Sequence, residues 1–147
     1  MDLVSLTRSA FPMSTNVHIK QVLVVEDNRG DVQLIREVFG DEHDVQWHFV
    51  DNLVRAHHFL THRPPYEDAP KPDLILLDLK LPIFPGFTLI PQIRNDPALK
   101  DIKIVVFTSS GAERDRALCA QYGADAYVVK PLSLRDWSST LRQVLNG

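Results

Sequence analysis

Five short apolar runs, each followed by a segment of helical period, constrain this chain more than any other feature of it. The runs are Val22 to Val25, Val45 to Val50, Leu74 to Leu77, Ile104 to Phe107 and Ala126 to Val129. Runs this short and this rich in Val, Ile and Leu read as strands, and their alternation with helical segments is the pattern of a parallel sheet with helices on both faces. Four of the runs are almost wholly apolar, as strands covered on both sides must be. The second alternates Val45, Trp47 and Phe49 with Gln46 and His48, which predicts an edge strand.

Between the runs, apolar residues recur at helical spacing: Val32, Ile35, Val38 and Phe39; Leu53, Ala56, Phe59 and Leu60; Phe87, Ile90 and Ile93; the neighbours of Leu118; and Leu134, Trp137, Leu141, Val144 and Leu145. The last set predicts a terminal amphipathic helix. From His62 to Pro72 the chain carries Pro64, Pro65, Pro70 and Pro72, which exclude helix and central strand and predict a long loop. Residues 1–18 lack the continuous apolar stretch of a signal peptide and are expected to form a flexible tail before a domain spanning 19–147, with Met13 as an alternative start to Met1.

A length of 147 residues, 44% of them hydrophobic, suits one domain with a real core and leaves no room for a second. Lys and Arg number 16 against 19 Asp and Glu, a formal charge of −3, so no global basic field draws the chain to nucleic acid or an anionic membrane. One cysteine excludes an internal disulfide, and no apolar run approaches the roughly 20 residues needed to cross a bilayer. The expected location is the cytoplasm.

Open parallel sheets place their sites beyond the carboxyl ends of the strands. Glu26 and Asp27 follow the first run, Asp78 the third, Thr108 and Ser109 the fourth, and Lys130 and Pro131 the fifth. In a doubly wound sheet of order 2-1-3-4-5, the first and third strands are neighbours, which brings Glu26, Asp27 and Asp78 into one pocket. Three clustered carboxylates repel one another unless a cation sits among them, and oxygen ligands of this kind suit Mg²⁺. With the repulsion offset, one Asp can attack a phosphoryl group as a nucleophile, and Lys130 and Thr108 can contact the phosphoryl oxygens, as a point charge and as a hydroxyl donor.

These residues resemble the receiver domain of two-component response regulators: the acidic pair in VLVVEDN, the acceptor in DLILLDLKLPIFPG, the hydroxyl in VVFTSSGA and the lysine in AYVVKP. The resemblance runs from about Gln21 to Gly147. It implies a flavodoxin-like (βα)5 fold in which Asp78 is the phosphoacceptor. Glu26, Asp27, Asp78 and the Lys80 carbonyl would hold Mg²⁺, and Lys130 would pair with the phosphoryl group. Thr108 and Tyr127 would form a switch pair, and Lys80 and Ser110 would tune dephosphorylation. Pro82 and Gly86 would shape the loop after the acceptor, and a cis peptide would precede Pro131. The stretches VEDNRGDVQLIREVF, PYEDAPKPDLILLDL and DPALKDIKIVVFTSS resemble the small stand-alone regulators paired with bacterial phytochrome histidine kinases, with departures at Asn52, Lys80 and Phe84-Pro85. The implied partners are a sensor histidine kinase and a second copy of the chain, joined through the fourth helix, fifth strand and fifth helix.

Two other readings compete. One is a constitutive interaction module or phosphorelay shuttle; the other is a Mg²⁺-dependent phosphatase, which is disfavoured because Lys80 stands where such enzymes carry a second Asp. Asn28 and Asp31 are expected to cap the first helix. The histidines, including His58 and His62 four residues apart on an expected helix, read as surface, and Cys119 reads as a small packing residue.

Overall fold

In the computed structural model, residues 20–40 and 43–147 are described; the expected tail over 1–18 and the choice between Met1 and Met13 lie outside them. Each apolar run is a strand: β1 (Lys20–Val25), β2 (Val45–Val50), β3 (Leu74–Leu77), β4 (Lys103–Thr108) and β5 (Ala126–Val129). The helices between them are α1 (Arg29–Phe39), α2 (Leu53–Leu60), α3 (Leu89–Arg94, entered through a 3-10 turn at Gly86–Thr88), α4 (Glu113–Tyr122) and α5 (Leu134–Asn146). All strand pairs are parallel and the order is β2-β1-β3-β4-β5, the flavodoxin-like arrangement.

Alternation along the strands splits the core in two. Leu23, Val25, Ile75, Leu77, Ile104 and Val106 face Ala56 and Phe59 of α2, Ile90 and Ile93 of α3, and Cys119 of α4. Val22, Val24, Leu74, Leu76, Val105 and Phe107 face the other way, onto Ile35 and Phe39 of α1 and Trp137, Leu141 and Val144 of α5. The Phe107 and Trp137 rings meet edge to face at 5.1 Å. Cys119 is buried as a packing residue.

Short polar side chains start α1, α2 and α5, each accepting a hydrogen bond from a first-turn amide: Asn28 from Asp31 (3.0 Å), Asn52 from Arg55 (2.8 Å) and Ser133 from Asp136 (3.3 Å). The expected loop from His62 to Pro72 carries no helix or strand, and Tyr66 from it packs against Phe59.

Two expectations are corrected. The fifth run is expected to be covered on both faces; β5 closes the sheet opposite β2, as the order 2-1-3-4-5 has it, but Ala126 and Val129 are exposed, so the cover does not extend over both ends of this edge strand. The expected helix through His58 and His62 ends at Leu60. His62 lies beyond it with a φ of 59°, and the prolines at 64 and 65 turn the following backbone away from helix.

Candidate functional site

Register sets the site. Val25 pairs with Leu77, so the residues that follow, Glu26 and Asp78, emerge side by side at the carboxyl ends of β1 and β3. The backbone holds them there: the Glu26 amide donates to the Val50 carbonyl (2.9 Å) and the Asp78 amide to the Val25 carbonyl (3.1 Å). Both carboxyls are buried, Asp27 beside them is exposed, and one oxygen from each of the three lies within 4.8 Å of the others. Three hard oxygen donors at this spacing fit a divalent cation of the Mg²⁺ or Mn²⁺ class.

Lys130 reaches the same pocket from β5. Its amide donates to the Thr108 carbonyl at 2.7 Å, and its ammonium donates to Glu26 Oε1 at 2.6 Å, Asp31 Oδ2 at 2.7 Å and Asp78 Oδ2 at 3.1 Å. An ammonium has three donors, and three carboxylates match them. Thr108, fully buried at the end of β4, accepts from the Ser110 amide at 3.4 Å. The Tyr127 hydroxyl donates to the Ser110 carbonyl at 2.8 Å, with the Arg116 guanidinium 4.6 Å from its ring centre. Thr108 and Tyr127 thus meet through the two backbone groups of Ser110. The Ser110 hydroxyl itself donates to Asp115 at 2.6 Å, so its side chain serves the start of α4.

After Asp78, the Lys80 amide donates to Asp78 Oδ1 at 3.3 Å while the Lys80 residue as a whole is exposed. Gly86 brings its backbone against that of Asp78 and Leu79 and donates to the Leu79 carbonyl at 3.0 Å, and Pro82 accepts from the Phe84 amide at 2.8 Å. The expectation of a cis peptide before Pro131 is corrected: among the described residues the cis bond joins Pro64 and Pro65. An X-Pro bond is trans by default, and the Lys-Pro dipeptide contains nothing that reverses the preference.

Electrostatics follow from the burial. Desolvation pushes the Glu26 carboxyl up to about 7, and the adjacent Asp78 carboxylate adds to this against the pull of Lys130. Burial also acts to raise Asp78, but the hydrogen bond with Glu26, the Lys130 charge and the Lys80 amide outweigh it and hold Asp78 below the ordinary carboxylate value. Lys130 pays a desolvation cost too, yet Asp31, Glu26 and Asp78 hold its ammonium above the usual lysine range. Of the pair, Glu26 is therefore the group held toward its protonated form and Asp78 the one held toward its ionised form.

A raised carboxyl stabilises the folded state fully below its unfolded value of 4.5, and this contribution disappears as pH rises through about 7. With divalent cations chelated, the urea midpoint should therefore fall between pH 5.5 and pH 8. Saturating Mg²⁺ should shrink or reverse the fall, because the cation displaces the proton, and Glu26→Gln should remove it. A chelated protein as stable at pH 8 as at 5.5 would contradict this account of Glu26.

Sequence reasoning placed Glu26, Asp27, Asp78, Thr108 and Lys130 at strand ends, and the structure brings all five to one edge of the sheet. It missed Asp31. Asn28 does cap α1, but the Asp31 side chain turns away from the helix end to Lys130. The available signal was its position: a carboxylate on the first turn of the helix that rises from the acidic pair.

Comparison with known proteins agrees with the geometry. The response regulator receiver domain family matches residues 22–142. Response regulator Rcp1 of Synechocystis sp. is 35% identical over 118 residues, which cover 80% of this chain and 80% of Rcp1. A crystal structure of the Mn²⁺-bound form of Rcp1 superposes with a TM-score of 0.78 at 32% identity, covering 85% of this chain and 91% of that one. The phosphorylated cyanobacterial phytochrome response regulator RcpA superposes with a TM-score of 0.81 at 31% identity, covering 86% and 91%. A match that runs from within β1 to within α5 takes in every strand of the sheet and every residue of the pocket, and the chain belongs to the response regulator receiver domain family, whose members are signalling proteins.

Proposed function

We propose that residues 19–147 act as a stand-alone phosphoacceptor: a sensor histidine kinase donates a phosphoryl group to Asp78, and the surface formed by α4, β5 and α5 reports it. The observation that carries this reading is the buried Asp78, which accepts from the Lys130 ammonium and belongs with Glu26 and Asp27 to a trio of carboxyl groups able to take a cation. Glu26, Asp27, Asp78 and the Lys80 carbonyl would hold Mg²⁺; when bound, it offsets their repulsion and draws charge from the phosphoryl oxygens.

An Asp78 carboxylate oxygen bonds to phosphorus as the bond from phosphorus to the donor's imidazole nitrogen breaks, and the nitrogen keeps the electron pair. Lys130 then exchanges a carboxylate for a phosphoryl oxygen, and the Thr108 hydroxyl donates to another. Movement of Thr108 is passed to Ser110 and from there to Tyr127, because both are already bonded to that residue. Hydrolysis reverses the change, with water attacking phosphorus and Asp78 leaving. The chain turns over no outside substrate. The exposed Lys80 side chain would overhang the phosphoryl group and slow the approach of that water, so Lys80→Asn should shorten the phosphoryl lifetime about 3- to 10-fold, as read by the decay of the adduct; an unchanged lifetime would remove Lys80 from this role.

Likeness to Rcp1 and to the phytochrome response regulator RcpA supports a light-signalling pathway, with a bacterial phytochrome kinase met in the cytoplasm and a homodimer through α4-β5-α5 as output. The test is phosphotransfer from an autophosphorylated bacterial phytochrome kinase to the full chain, run beside sizing chromatography. Label should move to the chain with Mg²⁺ and not with chelator, and the phosphorylated chain should elute earlier. Label that stays on the kinase while acetyl phosphate still modifies the chain would contradict the phytochrome pairing. Transfer without a size change would contradict the dimer and favour the shuttle.

A further inference from the structure

Lys130 has two kinds of partner. Glu26 and Asp78 belong to the trio that can hold a cation; Asp31, from the first turn of α1, does not. The ammonium occupies one oxygen each of Glu26 and Asp78, at 2.6 Å and 3.1 Å, and so competes with a divalent ion for these carboxyl groups, while its 2.7 Å contact with Asp31 leaves the trio untouched. The Lys130, Glu26 and Asp78 side chains are nearly enclosed and Asp31 is 19% exposed, so the contact is poorly screened.

Two events act on this arrangement with opposite sign. An entering cation repels the ammonium from Glu26 and Asp78, and Asp31 offers it a carboxylate outside the cation's ligands. An entering phosphoryl group needs the ammonium for its own oxygens, and Asp31 competes for it. We propose that Asp31 is a positioning residue that acts through Lys130: it receives the ammonium when the cation binds and must partly yield it when Asp78 is phosphorylated. Asp31 thereby favours cation loading at the expense of the phosphoryl group. The role rests on the phosphoacceptor reading above.

Asparagine at 31 keeps the size of the side chain and the backbone amide that Asn28 caps, so the start of α1 is preserved. The charge is all that is lost. Full-length wild type, Asp31→Asn and Asp31→Glu would be titrated with Mn²⁺, the free ion being read by electron paramagnetic resonance. They would then be titrated with beryllofluoride, a phosphoryl mimic, at saturating Mg²⁺, with the bound form counted by fluorine NMR. Asp31→Asn should bind Mn²⁺ about 3- to 10-fold more weakly and beryllofluoride about 3- to 10-fold more tightly, as removal of one nearby negative charge requires. Asp31→Glu should stay near wild type. A merely structural role would move both affinities the same way, and that outcome, like no movement of either, overturns the proposal. Wild type that takes up neither probe would overturn the phosphoacceptor reading along with it.

Discussion

Gly86→Ala should cost about 3 kcal/mol or more of folding stability, although the change adds one methyl group. A Cβ at this position would lie 2.0 Å from the Asp78 carbonyl oxygen, 2.8 Å from the Leu79 Cα and 3.0 Å from the Asp78 carbonyl carbon. All three are backbone atoms, so no side chain can rotate away; either β3 or the loop that crosses it must move. The requirement is for space, since the Gly86 φ is not positive. The damage would reach the site, because two of the three atoms belong to Asp78. Urea unfolding measures the cost, and a loss under about 1 kcal/mol would show that the loop yields more easily than its packing implies.

The second large effect is expected from Lys130→Met. The ammonium donates to three carboxyl groups in a pocket where the side chains of Lys130, Glu26 and Asp78 are 9%, 3% and 6% exposed. Removing one partner of a buried charge pair costs about 3–5 kcal/mol. Part of that is recovered when Glu26 takes a proton, which it does with its carboxyl already raised to about 7. The loss should therefore be larger at pH 8 than at pH 5.5, and saturating Mg²⁺ should restore some of it. The phosphoryl group would also lose its point-charge partner, so the adduct should form more slowly even in folded protein. A variant as stable as wild type at pH 8 without cation would mean that the carboxylates are not held together by Lys130.

Much of this pocket is legible in the chain because apolar runs end where the chemistry begins. Leu77 is followed by Asp78 and Val25 by Glu26, and parallel register turns two sequence positions far apart into neighbours. What escaped depended on where side chains turn. Asp31 sits where first-turn carboxylates favour a helix start, and that local role hides a partner supplied by a lysine from the opposite end of the domain. Tyr127 was legible as a residue of the fifth strand, but its bond to the Ser110 carbonyl follows from the path of the loop after β4, which no periodicity encodes. The Lys130-Pro131 bond had no local signal at all, and the expectation of a cis peptide came from resemblance alone. The exposed ends of β5 illustrate the remaining ambiguity: an apolar run of four residues does not say how far the helices on either face extend over it.

Whether Asp78 receives a phosphoryl group is read from the intact mass of the full chain after incubation with Mg²⁺ and acetyl phosphate, for wild type and for Asp78→Asn. Wild type should gain the mass of one phosphoryl group and lose it again on standing, and Asp78→Asn, which keeps the shape but not the nucleophile, should gain none. An adduct of equal yield on Asp78→Asn, or none on folded wild type that binds Mg²⁺ and is offered a phosphorylated kinase as well, would contradict the account.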